Sequence, residues 1–170
     1  TQPQLIELTR ICCDALHETN DKAQAIVNIC LPFAEYVAGR YTCYGSLPEH
    51  LRSPLHYFRD LLAAGVNFDV VGIQLYFPAR DMVMVNRLLD VFSSLGKPIH
   101  ITEMGADGGT RTPAGHGGKN WPQLSHSEGI WHGGWNETTQ ADWMEQFYTL
   151  AASRPEIKAL TWWDFIEPSF

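Results

Sequence analysis

The chain has 170 residues, 45% of them hydrophobic and 18% charged, a balance that supports one domain with a sizeable core and excludes wholesale disorder. Twelve Lys and Arg against nineteen Asp and Glu leave a net charge of −7, which argues against nucleic acid or an anionic membrane as partner, because neither attracts an acidic surface. No apolar run approaches the roughly 20 residues of a membrane span, and the first residue is Thr1 with no visible signal peptide, which suits a processed chain or a fragment.

Leu5, Leu8, Cys12 and Leu16 recur at helical spacing and predict a helix ending near Asn20. Ala25 to Ile29 is a short apolar run that suits a buried strand, and an aromatic, Gly- and Pro-rich loop follows from Pro32 to Pro48. Ser53-Pro54 then offers an N-cap and a proline at the first helical position, and Gly65 stops that helix. Asp69 to Tyr76 predicts a strand. Met82, Val85, Leu88, Leu89, Phe92 and Leu95 form the stripe of a helix ending at Gly96. Pro98 to Glu103 is a third strand. After a long insertion, Thr138 or Thr139 opens a helix with Met144, Phe147, Tyr148 and Ala151 on one face, and Ile157 to Trp163 is a fourth strand.

Strands alternating with helices predict βαβ units and a parallel sheet. Two architectures compete, a doubly wound sheet and part of a (β/α)8 barrel. Each strand finishes in groups useful for chemistry: Asn28, then Gln74 and Tyr76, then Glu103, then Trp163 and Asp164. A barrel gathers all such ends on one face, where its active sites lie. A doubly wound sheet often carries a phosphate-binding glycine loop, and Gly105, Gly108 and Gly109 lack that spacing. The expected fold is therefore α/β, a (β/α)8 TIM barrel of which four units are present, against about 250 residues for a whole barrel.

The insertion from Gly105 to Glu137 holds nine of the fourteen glycines together with Trp121, Trp131 and Trp135. It would hang over the active face, where tryptophan suits either stacking on a sugar or pinning a glycine-rich loop. His116, His126 and His132 match no ligand spacing, so no metal is expected. Cys12, Cys13, Cys30 and Cys43 show no C-x-x-C pair; they read as buried or half-buried thiols, and a Cys30–Cys43 disulfide stays open. Glu103, closing an apolar strand after Thr102, is placed as a nucleophile or general base, although spacing alone equally describes a solvated or salt-bridged glutamate.

GVNFDVVGIQLYFP, GKPIHITEMG and ALTWWDFIEPSF together resemble the C-terminal half of glycoside hydrolase family 10, the retaining endo-β-1,4-xylanases built on (β/α)8 barrels. The resemblance runs collinearly through strands five to eight over nearly the whole of 1–170, with the 105–137 loop after strand seven. It implies that Glu103, in I-T-E, is the nucleophile, and that Asn28, Gln74, Tyr76 and Trp163 bind substrate. Tyr76 stands where the family carries a histidine, Asp164 replaces the glycine of its F-W-G motif, and Glu167 falls near its following aspartate. The I-N-D-Y-N strand is reduced to Asn28 followed by Ile29, Cys30 and Leu31.

The family's acid/base glutamate closes strand four, so it is expected upstream of Thr1, and this chain is expected to hold one of the two carboxylates that retaining hydrolysis needs. The implied substrate is a β-1,4-linked plant polysaccharide such as xylan, with no cofactor, and the implied location is extracellular or periplasmic. Open sheet edges at strands five and eight predict self-association. The alternatives are a carbohydrate-binding barrel without turnover and a β-glucosidase- or β-galactosidase-like hydrolase.

Overall fold

A computed structural model describes residues 2–30, 53–75, 82–106, 108, 131–133 and 136–163. In chain order it contains α1 (Gln2–Thr19), β1 (Ile26–Ile29), α2 (Pro54–Ala63), β2 (Val70–Leu75), α3 (Met82–Ser93), β3 (Ile99–Met104), α4 (Glu137–Ala152) and β4 (Ile157–Trp162). The expected loop from Pro32 to Pro48, most of the 105–137 insertion, and Cys43, Tyr76, Asp164 and Glu167 lie outside the described residues.

The local signals act as their chemistry requires. Ser53 caps α2 through its side chain, which accepts from the His56 N–H, and Pro54 occupies the first turn, where no intrahelical donor is needed. Gly65 and Gly96 follow α2 and α3 with positive φ, the left-handed conformation that is unfavourable for a residue bearing Cβ. The opening of α4 falls elsewhere than the threonines suggest. Asn136 is its N-cap, accepting from the Thr139 N–H at 3.0 Å, because a short amide oxygen satisfies the orphan donors of the first turn.

All four strands are parallel and lie in the order β1-β2-β3-β4. Right-handed crossovers that always step in one direction put every connecting helix on the same face. A doubly wound sheet would reverse direction and cover both faces. This chain is singly wound, as one arc of a (β/α)8 barrel is.

The helix-covered face of the sheet carries Val71, Ile73, Ile99 and Ile101, all fully buried and clustered with Phe58 and Leu61 of α2 and Leu88 and Phe92 of α3. Phe58 meets Phe92 edge to face at 6.1 Å between centroids. Burying a side chain of this size contributes about 1.5–3 kcal/mol.

Three patterns differ from the sequence reading. On α1, Leu5 and Leu8 are 46% and 58% exposed and Cys12 is exposed, while Cys13 is buried and Leu16 packs at the margin of the core. The inward side is amphipathic: Thr9 hydrogen-bonds the Tyr57 hydroxyl at 2.6 Å and Arg10 donates to the Ala64 carbonyl at 2.8 Å. Polar residues that serve neighbouring polar groups hide an inward face from apolar periodicity. On α4 the buried line is Trp143, Phe147 and Ala151, with Tyr148 turned outward. Trp143 stacks on Phe147 at 5.1 Å and lies 6.3 Å from Trp162, so the largest ring claims the core position. Finally, β1 is half covered, with Val27 buried and Ile26 and Asn28 exposed. Burial pushes the Cys13 thiol up. Cys30 is exposed, and its pairing with Cys43 falls outside the described residues. No described helix is long and apolar enough to cross a membrane.

Candidate active site

Because the strands are parallel, Asn28, Gln74, Glu103 and Trp163 all come to the C-terminal end of one sheet. Alternation along each strand then selects a face. Val71, Ile73 and Leu75 belong to the helix-covered core, which leaves Gly72 and Gln74 on the opposite face. Asn28 pairs with Gly72, which pairs with His100, in one row across that face.

One irregularity decides where Glu103 lies. Ile73 pairs with Ile101 but Gln74 pairs with Glu103, so Thr102 is an extra residue in β3. This bulge re-aims the strand end. Without it Gln74 would face Thr102; with it, Gln74 Nε2 donates to Glu103 Oε1 at 2.7 Å. A carboxylate only accepts, so the glutamine must present its amide nitrogen. The result is a half-buried carboxylate oriented by a neutral donor, which fixes geometry and brings no countercharge of its own. Thr102 Oγ1 donates to Asn28 Oδ1 at 2.5 Å.

The next layer is set by Gly105 and Trp163. The Trp163 N–H donates to the Met104 carbonyl at 2.7 Å, extending the ladder past Trp162. A Cβ on Gly105 would stand 2.6 Å from the Trp163 carbonyl oxygen, a distance no side chain tolerates. Glycine there lets the chain leave β3 against the end of β4. Trp163 itself is 49% exposed. The expected residues therefore divide. Gln74 and Glu103 are in direct contact, Asn28 joins Thr102, Trp163 sits exposed at the end of β4, and Tyr76 lies outside the described residues.

Thr102, Gly72 and Gly105 carry roles that residue chemistry alone did not assign. An isolated glycine inside the β-branched run of β2 was the available signal, since such a glycine marks a close approach of another group. The bulge at Thr102 had no signal, because register is a property of two strands.

The insertion is tied to α4 at both ends. Gln140 donates to the Ala106 carbonyl at 2.6 Å, and the Trp131 Nε1–H donates to Asp142 Oδ2 at 2.7 Å. Trp131 is buried and stacks on His132, which also reaches Asp142, at 2.8 Å. Trp131 is thus held against α4, buried, with His132 stacked on its ring. Hydrogen bonds from Gln146, Trp131 and His132 hold the Asp142 carboxyl below its usual range. Among the described residues no group of three or more His, Cys, Asp or Glu side chains gathers to hold a metal ion.

The family model of glycosyl hydrolase family 10 matches residues 41–169. Among solved structures, a Thermobacillus composti family 10 xylanase aligns with a TM-score of 0.62 at 19% identity, over 97% of this chain and 48% of its own. A psychrophilic family 10 endo-β-1,4-xylanase aligns with a TM-score of 0.58 at 18% identity, over 94% of this chain and 41% of its own. A Bacteroides uniformis β-glucuronidase aligns with a TM-score of 0.58 at 13% identity, over 96% of this chain and 16% of its own. The chain thus spans less than half the length of these proteins. No curated protein matches it by sequence.

Proposed function

The chain belongs to glycosyl hydrolase family 10 and has the fold of one arc of a (β/α)8 barrel; from that premise we propose that it is a retaining glycoside hydrolase acting on a β-1,4-linked polysaccharide such as xylan, with Glu103 as nucleophile. The observation that carries the proposal is the contact of Gln74 with Glu103 at the C-terminal end of the sheet. A carboxylate there, held by an amide on the next strand, is oriented for attack by a group that adds no charge.

In the proposed reaction a Glu103 oxygen attacks the anomeric carbon as the bond to the leaving oxygen breaks. A general acid protonates that oxygen, and a glycosyl ester forms on Glu103. Water, losing its proton to the same acid/base group, then attacks the anomeric carbon and frees Glu103, so the anomeric configuration is retained. The acid/base group in this proposal is a glutamate at the end of the strand before α1, upstream of Thr1. Asn28, Gln74, Tyr76 and Trp163 line the sugar site, and the partner is a polysaccharide or oligosaccharide.

An activated 2-fluoro xylobioside tests the assignment, because its leaving group needs little acid assistance and the fluorine slows release of the ester. Mass spectrometry is expected to find one 2-fluoro-xylobiosyl group on Glu103. A label on another residue overturns Glu103 as nucleophile, and xylo-oligosaccharide binding with no label overturns the hydrolase reading in favour of a carbohydrate-binding barrel. A label from the corresponding glucoside or galactoside alone would keep the chemistry and replace xylan as substrate.

A further inference from the structure

Asn28 and Thr102 belong to strands that do not pair, since β2 runs between β1 and β3. Neighbouring strands stand about 4.8 Å apart. The 2.5 Å bond between these two side chains therefore spans the whole width of β2. It does so over Gly72. A Cβ on that residue would stand 2.8 Å from Asn28 Oδ1 and 2.9 Å from Ile26 Cγ2. The space left by the missing side chain is the path of the hydrogen bond.

The bond also fixes a polarity. A side-chain amide has one accepting end and one donating end. Asn28 Oδ1 is occupied by Thr102, and the Asn28 Nδ2 hydrogens have no acceptor among the described residues. Gln74 is the complement: its Nε2 is occupied by Glu103, and its Oε1 has no donor among the described residues. Two amides on adjacent strands therefore offer opposite ends, a donor from β1 and an acceptor from β2. A sugar hydroxyl is both donor and acceptor, and a vicinal pair of hydroxyls fits such an arrangement.

We propose that Thr102 is a positioning residue that acts through Asn28: its hydroxyl, reaching across Gly72, commits Asn28 Oδ1 and so makes Asn28 a hydrogen-bond donor to a hydroxyl of the sugar bound at Glu103. The inference rests on the glycosidase reading for its ligand and on the cross-strand bond for its geometry. It predicts an effect on sugar affinity and little effect on the chemical step, because the Thr102 hydroxyl bonds Asn28 and not the nucleophile's oxygens.

The test uses the whole protein and the activated 2-fluoro xylobioside, whose concentration dependence separates dissociation constant from limiting labelling rate. Thr102→Val keeps the shape and removes the hydroxyl. It is expected to raise the dissociation constant about five- to tenfold, the effect of one neutral hydrogen bond, with the limiting rate within about twofold. Thr102→Ser, which restores the hydroxyl, is expected to return the affinity to within about twofold. An unchanged dissociation constant in Thr102→Val, or a loss confined to the limiting rate, overturns the proposal while leaving the hydrolase reading intact.

If the wild-type protein takes no label from the xylobioside or from the corresponding glucoside and galactoside, the hydrolase reading has failed and the side-chain amide resonances decide the geometry. Thr102→Val is then expected to move the Asn28 pair and spare the Gln74 pair. An unmoved Asn28 pair overturns the cross-strand role.

Discussion

At the N-terminal end of the sheet Asp69 is met by a backbone N–H and the His17 ring, and Glu156 by Arg154 and a hydroxyl donor, whereas at the C-terminal end Glu103 is met by the neutral amide of Gln74. Asp69 accepts from the Ala25 N–H at 2.7 Å and pairs with His17 at 2.9 Å. Glu156 accepts from the Ser93 hydroxyl at 2.8 Å and from Arg154, which also reaches Asp90 and Asn86. Lys97 beside β3 donates to the Phe68 carbonyl at 2.7 Å. These partners join loops to strand starts and contribute stability. The upper end uses its polar groups differently: one amide orients a carboxylate, another accepts from a threonine hydroxyl, and glycines at 72 and 105 keep backbone and side chains close. The difference follows the division of labour in parallel barrels, in which the strand ends that point to the catalytic face carry chemistry and the opposite ends carry stability.

The sharpest way to break that division is to exchange the roles. Glu103→Gln keeps the shape of the side chain, so folding stability is expected to stay within about 1 kcal/mol, while turnover of an aryl xylobioside falls at least about 10³-fold. A variant that keeps its turnover, or that unfolds, would place Glu103 with the lower carboxylates. Gln74→Leu removes the donor to Glu103 Oε1. It is expected to slow labelling by about 10- to 100-fold, with a thermal midpoint close to that of the wild type.

How much of this was legible in the chain depends on the scale of the pattern. Gly65, Gly96 and the Ser53-Pro54 pair are local devices, and each stands where the residues alone placed it. The apolar alternation of β2 and β3 likewise carried its own period. Gln74 and Glu103 were legible as strand ends and as members of a family motif, but their contact joins residues 29 apart and depends on one extra residue in β3. No single-strand pattern contains that information. The inward face of α1 was not legible for a related reason, since Thr9, Arg10 and His17 face polar partners contributed by other elements.

At the lower end the largest expected effect comes from Arg154, whose side chain is 12% exposed and pairs with Asp90 at 2.8 Å and Glu156 at 2.7 Å. Arg154→Met leaves Glu156 without its cation and is expected to cost about 2 kcal/mol in urea denaturation. The limiting labelling rate at Glu103, measured on folded protein, should not change. A slower limiting rate would join the two ends of the sheet into one functional network and defeat the comparison.

The smallest effect tests why the lower carboxylates are held as they are. Asp69 lies below the usual carboxylate range chiefly because the Ala25 N–H binds its charged form, with His17 adding to the effect. Glu156 is lowered by its own backbone N–H, then by Ser93 and Arg154. A carboxylate whose folded pKa is depressed contributes stability above its unfolded pKa of about 4, and that contribution disappears as the pH falls through the folded value. Asp69→Asn retains an oxygen for Ala25 but loses the charge that faces His17. The Asp69 side chain is 33% exposed. Solvent therefore screens the pair, and the expected loss at neutral pH is about 1 kcal/mol or less. Repeating the denaturation at progressively lower pH should shrink the gap between wild type and variant, because protonated Asp69 and asparagine are both neutral. A gap that stayed constant through the acid range would assign the effect to packing and not to charge, and the lower end of the sheet would lose the electrostatic character that sets it apart from Glu103.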